Sequence, residues 1–342
     1  MMADKKERII LDVAYQPQVR TKRDTRRIMT DVIIALLPAL GVSVWQFGIF
    51  PLVVVAISVA TAVLAEYLYR RLMHKKKTIG DLSAVVTGMI LAMTLPAMRM
   101  QNASGPWWLM PIVGALFAIV VVKQLYGGIG KNFLNPALAG RAVLVASYTT
   151  YMSAPVFLID ATTSATPLSN LYNGEPFAYT ARELLVGTTP GCIGELSTIA
   201  ILVGFAYLLL RGVLSWRIPV SFVGTVALVC LLFGHEGYGR MDWTVYNLLS
   251  GGLLFAAVFM ATDYSTSPVT MNGQLLYGCG CGLLTMLIRF FGGYPEGVTY
   301  AILVMNLCSW AIDKLFHRSQ FGADEAPKRK LFAKKAEKEA AR

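Results

Sequence analysis

The distribution of charge along the chain is the feature that most constrains its fold. The 342 residues include seven long apolar runs without a single Asp, Glu, Lys or Arg. Each run is long enough, or nearly so, to cross a hydrocarbon core of about 30 Å as a helix. Charged residues make up 15% of the chain, against about 25% in an average soluble protein. The pattern therefore predicts an all-α polytopic membrane protein and disfavours a soluble protein with buried helices. The runs are 32–65, 82–98, 106–122, 218–233, 244–262, 269–288 and 297–312.

About ten transmembrane helices account for these runs. They are predicted near 29–47, 50–72, 82–98, 107–126, 134–149, 195–211, 216–234, 246–262, 273–291 and 297–316. Several are short for a full span, and prolines such as Pro38 and Pro96 mark ends or kinks. Half-helices and re-entrant turns are therefore expected at some positions. The predicted parts are an N-terminal segment 1–28, a first membrane repeat 29–149, a loop 150–194, a second membrane repeat 195–316 and a basic tail 317–342.

Basic residues give the chain an orientation. With the N-terminus in the cytoplasm, the cytoplasmic segments collect 26 of the 31 lysines and arginines, as the positive-inside rule requires. Both termini are then cytoplasmic, and the loop 150–194 is extracytoplasmic. The net charge of +11 is explained by this asymmetry, so the sequence does not point to nucleic acid as a partner.

The two halves resemble each other at an offset of about 165 residues. Gly127-Gly128 aligns with Gly292-Gly293, and Leu82-Ser83-Ala84 aligns with Leu249-Ser250-Gly251. Each half holds five predicted spans, and an odd number per half places the second copy upside down in the membrane. Inverted repeats of this kind build many transporters. We therefore expect two inverted five-helix repeats, as in the urea and ammonium channels.

The loop contains a hydroxyl-rich stretch beside one carboxylate, Asp160-Ala-Thr-Thr-Ser-Ala-Thr-Pro-Leu168. Ser and Thr favour turns through local hydrogen bonds. Composition alone predicts a turn-rich surface loop, or a helix N-cap at Ser164 or Thr166.

The same stretch also resembles a modification signal. Asp160, Thr163, Ser164, Ala165 and Thr166 follow the pattern Asp-x-x-Ser/Thr-Gly-Ala-Thr, with Ser164 in place of the common glycine. This pattern is recognised by the transferase that esterifies flavin mononucleotide (FMN) onto threonine. Together with the stretches 131–141 and 259–264, it resembles the NqrB/RnfD family, which supplies membrane subunits to Rnf-type ferredoxin:NAD oxidoreductases and to the sodium-pumping NADH:quinone reductase. The resemblance covers about 29–315.

The resemblance implies a role for each motif residue. Thr166 is expected to carry covalent FMN as a phosphoester, and Asp160, Thr163, Ser164 and Ala165 are expected to serve the flavin transferase or to line the phosphate. It further implies a multi-pass protein of the bacterial inner membrane, with Rnf subunits of the A, B, C, E and G types as partners.

A second flavin site is implied near Asn132 and Asn135. Riboflavin is expected there by the family resemblance, and the two amides are suited to the edge of a flavin ring. The two asparagines are three positions apart in the sequence, so they share one face if the backbone is helical. The alternative is that Asn132-Phe-Leu-Asn135-Pro136 simply caps a helix.

Other polar groups have simpler interpretations. Asp263 ends the eighth predicted span among hydroxyl residues, and is either a cation site of oxygen ligands or a capped turn. Asp31, Glu66 and Asp81 are predicted to pair with nearby Lys or Arg. Cys279 and Cys281 are predicted to belong to a set of small residues that lets helices approach closely, with metal ligation as the alternative.

The sequence leaves two main functions open, and a structural scaffold without a cofactor is a third possibility. The first is a flavin-carrying subunit, without a complete active site of its own, in a complex that couples electron transfer between ferredoxin and NAD to Na⁺ or H⁺ translocation. The second is a small-solute channel or secondary transporter, which the inverted repeat alone favours. The flavin-attachment pattern favours the first, because a channel has no need of it.

Overall fold

The computed structural model describes residues 24–316, apart from 77, 97–99, 101–104, 154–155, 158–162, 165–166, 173–178, 235–237 and 293–296. The described residues are helical apart from loops and one short antiparallel strand pair. In chain order the elements are α1 (Thr25–Phe47), α2 (Phe50–Leu72), a 3-10 turn (Ile79–Asp81), α3 (Ser83–Met93), α4 (Leu109–Leu116) with a π-helical continuation (Phe117–Gln124), α5 (Pro136–Ser147), α6 (Thr149–Ser153), β1 (Val156–Phe157), β2 (Thr163–Ser164), α7 (Pro167–Tyr172), α8 (Ala181–Val186), α9 (Thr198–Leu210), α10 (Arg217–Leu232), α11 (Arg240–Leu249), α12 (Leu253–Phe259), α13 (Met271–Phe291) and α14 (Val298–Leu315).

Four of these helices, α1, α2, α13 and α14, are long and apolar enough to cross a membrane. The helices α1 and α2 have 23 residues each, and a helix of that length measures about 34 Å. The apolar segments α3, α4 with its continuation, α5, α9 and α10 are shorter. The predicted all-helical polytopic membrane architecture is confirmed, while the count of ten spans stays a prediction.

The third predicted span is a half-helix. The apolar run predicts a helix to residue 98, but α3 ends at Met93. The carbonyls of Met93 and Leu95 accept hydrogen bonds from the backbone N–H groups of Gly194 and Ile193, at 2.6 and 3.1 Å. Irregular backbone is tolerated at membrane depth only where protein satisfies its polar groups, and residues 193–194 do so here.

The eighth predicted span, 246–262, is wrong as a continuous helix. α11 ends at Leu249 and α12 begins at Leu253. Between them Gly251 adopts a φ of +71°, a left-handed conformation that glycine reaches without steric cost. The break could not be read from hydropathy, because glycine is common inside transmembrane helices.

Close helix packing explains the glycines around the two neighbouring cysteines. A Cβ atom on Gly282 would lie 2.7 Å from the Cβ of Thr225 and 2.9 Å from the carbonyl oxygen of Phe222, both on α10. Cys281 is fully buried beside it. The predicted close approach of helices through small residues is confirmed between α10 and α13.

Gly282→Ala should therefore lower the free energy of unfolding by about 1–3 kcal/mol, the usual cost of overpacking. Gly224→Ala is the matched control, because nothing lies within 4 Å of a Cβ at Gly224 on α10. Thermal unfolding in detergent measures both variants. Equal melting temperatures would contradict the expected packing role of Gly282.

Candidate functional site

A cavity of about 110 Å³, mostly apolar with a few polar groups, lies where the two halves of the chain meet. Its wall is formed by α1, α3, the π-helical segment, the start of α5, the end of α9, and the end of α12 with the chain that follows it. The residues that matter for its chemistry are Met29, Ser83, Lys123, Asn132, Asn135 and Asp263. The structure thus brings together Asn132, Asn135 and Asp263, which are separate candidates in the sequence.

Lys123, which lines the cavity, belongs to a buried ion pair. Lys123 Nζ donates hydrogen bonds to Glu66 Oε2 at 2.7 Å and to Ser83 Oγ at 2.6 Å. Glu66 is fully buried, and its Oε1 accepts a hydrogen bond from Thr78 Oγ1 at 2.6 Å. Arg70 Nε lies 3.8 Å from the same oxygen. Glu66 is therefore held charged by two cations and a hydroxyl.

Lys123 lines the cavity. In the sequence, its charge serves only as evidence for the orientation of the chain in the membrane. A sign of its role was available, since Lys123 directly follows a charge-free apolar run, and ionisable groups at membrane depth are functional candidates by default. It also lies in a π-helical segment, a geometry that is frequent at functional sites.

The ion pairs predicted for Asp31, Glu66 and Asp81 form for two of these three acids. Glu66 pairs with Lys123, and Asp31 pairs with Arg211 at 3.2 Å. Asp81 Oδ1 instead accepts hydrogen bonds from the hydroxyl and backbone N–H of Ser83, at 2.6 and 2.9 Å. Among the described residues, Asp81 thus accepts hydrogen bonds from the first residue of α3 and forms no ion pair.

Asn135 is the N-cap of α5, as the simpler interpretation predicted. Its Oδ1 accepts from the N–H groups of Ala137 and Leu138, at 3.0 and 3.4 Å. Its Nδ2 donates to the carbonyl of Met260 at 3.0 Å, which ties the two halves of the chain together. Asn132 lies before the helix, and its Nδ2 donates a hydrogen bond to the carbonyl oxygen of Leu134 at 3.1 Å. The condition of a shared helical face is therefore not met.

Asn135→Ala should destabilise the protein by about 2 kcal/mol, because the cap is lost and the carbonyl of Met260 loses its donor. Asn135→Ser keeps a neutral oxygen acceptor for the cap and removes the amide that donates to Met260, so a smaller decrease in melting temperature is expected. Thermal unfolding in detergent compares them. Equal losses for both variants would mean that the cap contributes nothing.

Asp263 forms a hydroxyl-capped turn on the cavity wall. Its Oδ2 accepts hydrogen bonds from Ser265 Oγ at 3.0 Å and Thr266 Oγ1 at 3.2 Å. Burial raises the pKa of this carboxyl above its ordinary value, and the two hydroxyl groups oppose that shift. Within the described ranges no cluster of three His, Cys, Asp or Glu side chains exists. The capped turn is confirmed, and a cation site would need ligands beyond carboxylates.

The flavin-attachment pattern lies largely outside the described residues. Asp160, Ala165 and Thr166 are among those not described, while the backbone of Thr163–Ser164 forms β2. This strand pairs antiparallel with β1, Val156 opposite Ser164. The helix α7 begins at Pro167, directly after Thr166 in the chain.

The helix α1 connects the cavity to the region of Pro167. Met29 near its start lines the cavity. Near its end, Ser43 Oγ donates to the carbonyl of Ile193 and Gln46 Nε2 donates to that of Thr189. Thr189 lines a small cleft together with Pro167. Met29 and Gln46 are 17 positions apart in α1, or about 26 Å, so the cavity and Pro167 lie at opposite ends of a membrane-spanning helix.

Comparison with known proteins identifies the family of the chain. The NQR2, RnfD, RnfE family model matches residues 12–322. The D subunit of the Na⁺-translocating ferredoxin:NAD⁺ oxidoreductase complex of Acetobacterium woodii is 44% identical over 323 residues, covering 93% of this chain and 97% of that protein. The D subunit of the proton-translocating complex of Clostridium ljungdahlii is 38% identical over 328 residues, covering 92% and 96%. The D subunit of the ion-translocating oxidoreductase complex of Cronobacter sakazakii is 34% identical over 346 residues, covering 89% and 97%. The chain therefore belongs to the NQR2, RnfD, RnfE family, as a member of its RnfD type.

Proposed function

We propose that the chain is the flavin-carrying membrane subunit of a bacterial inner-membrane complex that couples electron transfer between ferredoxin and NAD to Na⁺ or H⁺ translocation. The observation that carries this proposal is the near full-length similarity to D subunits of such complexes, combined with the flavin-attachment pattern at 160–166. The chain acts with partner subunits of the A, B, C, E and G types, because its own sequence offers no nicotinamide or iron–sulfur motif.

Thr166 carries FMN through a phosphoester in this proposal. The threonine hydroxyl binds the phosphoryl end, and the isoalloxazine ring stays free to accept and donate electrons. Asp160, Thr163, Ser164 and Ala165 present the threonine to a flavin transferase. That enzyme acts outside the cytoplasm, in agreement with the orientation that the basic residues favour.

The cavity at the other end of α1 is the proposed site of a second flavin, riboflavin. Its wall combines apolar side chains such as Val32 and Val86 with a few polar groups, the usual make-up of a cofactor site. Asn132 and Lys123 fit the polar edge of a flavin ring. Asn135 fits less well, because its amide already caps α5 and bonds Met260. Asn135 would instead hold the wall in shape.

Two inverted five-helix repeats remain the proposed architecture. The order of helix packing supports it, because corresponding helices of the two halves have corresponding neighbours. In the first half, α2 packs against α3 and α4, and α4 contacts α5. In the second half, α10 packs against α12 and α13, and α13 contacts α14. The helix α1 of the first half packs against α9 of the second, which begins the second repeat. With both termini cytoplasmic, the cavity faces the cytoplasm and the region of Pro167 faces outward.

A channel or transporter is the second candidate. The half-helix α3 and the break between α11 and α12 favour it, since discontinuous helices form substrate sites in many transporters. The two functions differ in cofactor content, which a single measurement distinguishes.

The intact mass of the chain, produced with a flavin transferase, tests the proposal together with an inventory of flavins released from the purified complex. We expect one covalent FMN on the peptide that contains Thr166, and riboflavin among the released flavins. A chain of unmodified mass would overturn the flavin-carrying role and leave the channel hypothesis. Covalent FMN without any released riboflavin would overturn only the second site.

A further inference from the structure

We propose that Tyr172, Asn247 and Arg289 are positioning residues that hold the helix following Thr166 against the membrane domain, and so set where the covalent flavin stands. This inference rests on the proposed attachment of FMN to Thr166. The helix concerned is α7, Pro167–Tyr172, and the three residues lie on α7, α11 and α13.

The three side chains form one buried hydrogen-bond network. Tyr172 Oη donates to Asn247 Oδ1 at 3.0 Å. Arg289 Nη1 donates to the carbonyl oxygen of Asn247 at 2.8 Å and to its Oδ1 at 3.4 Å. Asn247 is fully buried and Arg289 is 2% exposed. Burial raises the pKa of Tyr172 to about 12, against the opposing charge of Arg289, so the phenol remains a donor at neutral pH.

Arg289 bonds a carbonyl that the helix itself leaves unsatisfied. Asn247 lies in the last turn of α11, where the final four carbonyls have no partner within the helix. A cation at this end also meets the negative pole of the helix. The guanidinium therefore stabilises the end of α11 just before the break at Gly251. An arginine buried in a membrane domain is costly and marks a functional position by default.

Apolar contacts complete the docking of α7. Leu168 and Leu171 are 1% and 2% exposed, and the Tyr172 ring lies 5.6 Å from Trp243, edge to face. A Cβ on Gly251 would lie 2.9 Å from Leu168 Cδ2, so the helix break makes room for this leucine. A helix of six residues has no stability of its own in water. Its position is therefore set by these contacts.

The position of α7 limits that of the proposed flavin. Pro167 is the first residue of α7, and Thr166 directly precedes it in the sequence. A network that fixes α7 consequently fixes the anchor point of the phosphoester. Loosening it should leave attachment intact and make the isoalloxazine ring more mobile and more accessible to solvent.

The test uses the full chain, produced with a flavin transferase and purified in detergent. Tyr172→Phe removes only the phenol oxygen, and Arg289→Gln removes the charge. Tyr207→Phe is the matched control, because it also removes one tyrosine hydrogen bond, to Asp31 at 3.0 Å, near the opposite end of α1. The readouts are covalent flavin per chain, flavin fluorescence anisotropy and quenching of that fluorescence by iodide.

We expect Tyr172→Phe and Arg289→Gln to keep wild-type flavin content, with lower anisotropy and a several-fold higher quenching constant, while Tyr207→Phe matches wild type. Arg289→Lys should restore part of the anisotropy, because it keeps a cation at the end of α11. Unchanged anisotropy and quenching in Tyr172→Phe would overturn the inference, even if Arg289→Gln fails to fold. Loss of covalent flavin from a folded variant would also overturn the inference, because it would show that the residue is needed for flavin attachment. A wild-type chain without covalent flavin would overturn the proposed function itself.

Discussion

Replacing Thr166 with alanine should abolish the flavin fluorescence of the denatured polypeptide under ultraviolet light. Alanine has no hydroxyl group, so no phosphoester can form at this position. Denaturation releases every non-covalent flavin, and the fluorescent band in a gel therefore reports covalent attachment alone. The expected effect is complete loss, measured on chain produced together with a flavin transferase.

Thr162→Ala is the matched control for this experiment. Thr162 lies in the same hydroxyl-rich stretch but at a variable position of the pattern, so its replacement should leave the band unchanged. Asp160→Ala should weaken the band if its carboxylate has the proposed role in recognition by the transferase. A band that persists in Thr166→Ala and disappears in Thr162→Ala would move the attachment site and refute the assignment of Thr166.

The membrane architecture could be predicted from the sequence because it depends on local properties. A span needs only a long apolar run, and the ends of α1 and α2 follow from their flanking residues. The predicted helices at 29–47 and 50–72 agree with the observed α1 and α2 except for four extra residues at the start of α1. The cap at Asn135 was equally local, since the proline that follows it disfavours helix at the preceding residue.

Features that depend on distant residues could not be predicted. Glu66 and Lys123 are 57 positions apart, and the sequence could indicate only that Glu66 needs some cation. The end of α3 at Met93 depends on hydrogen bonds from residues 193–194, a hundred positions later. Likewise, the break at Gly251 makes room for Leu168 of α7. In each case, a contact with a residue distant in sequence is part of the reason for an ion pair, a helix end or a helix break.

The buried pair of Lys123 and Glu66 gives the largest expected effect on stability. Lys123→Met should lower the free energy of unfolding by about 3 kcal/mol, because it leaves a fully buried carboxylate without its main partner. Arg70, 3.8 Å from Glu66, limits the loss but cannot replace the 2.7 Å contact made by Lys123. Unfolding in detergent, followed by heat or denaturant, measures the change.

The double variant Lys123→Met, Glu66→Gln separates the ion pair from simple packing. Removing the carboxylate as well should recover most of the lost stability, since a buried pair as a whole contributes little net free energy. Arg211→Met provides the comparison, because Arg211 pairs with Asp31 while its side chain is 55% exposed, and solvent screening should make its effect much smaller. If the double variant is as unstable as Lys123→Met, the lysine stabilises the cavity wall by packing and its charge is incidental. Recovery of stability in the double variant would instead show that Glu66 requires the positive charge of Lys123.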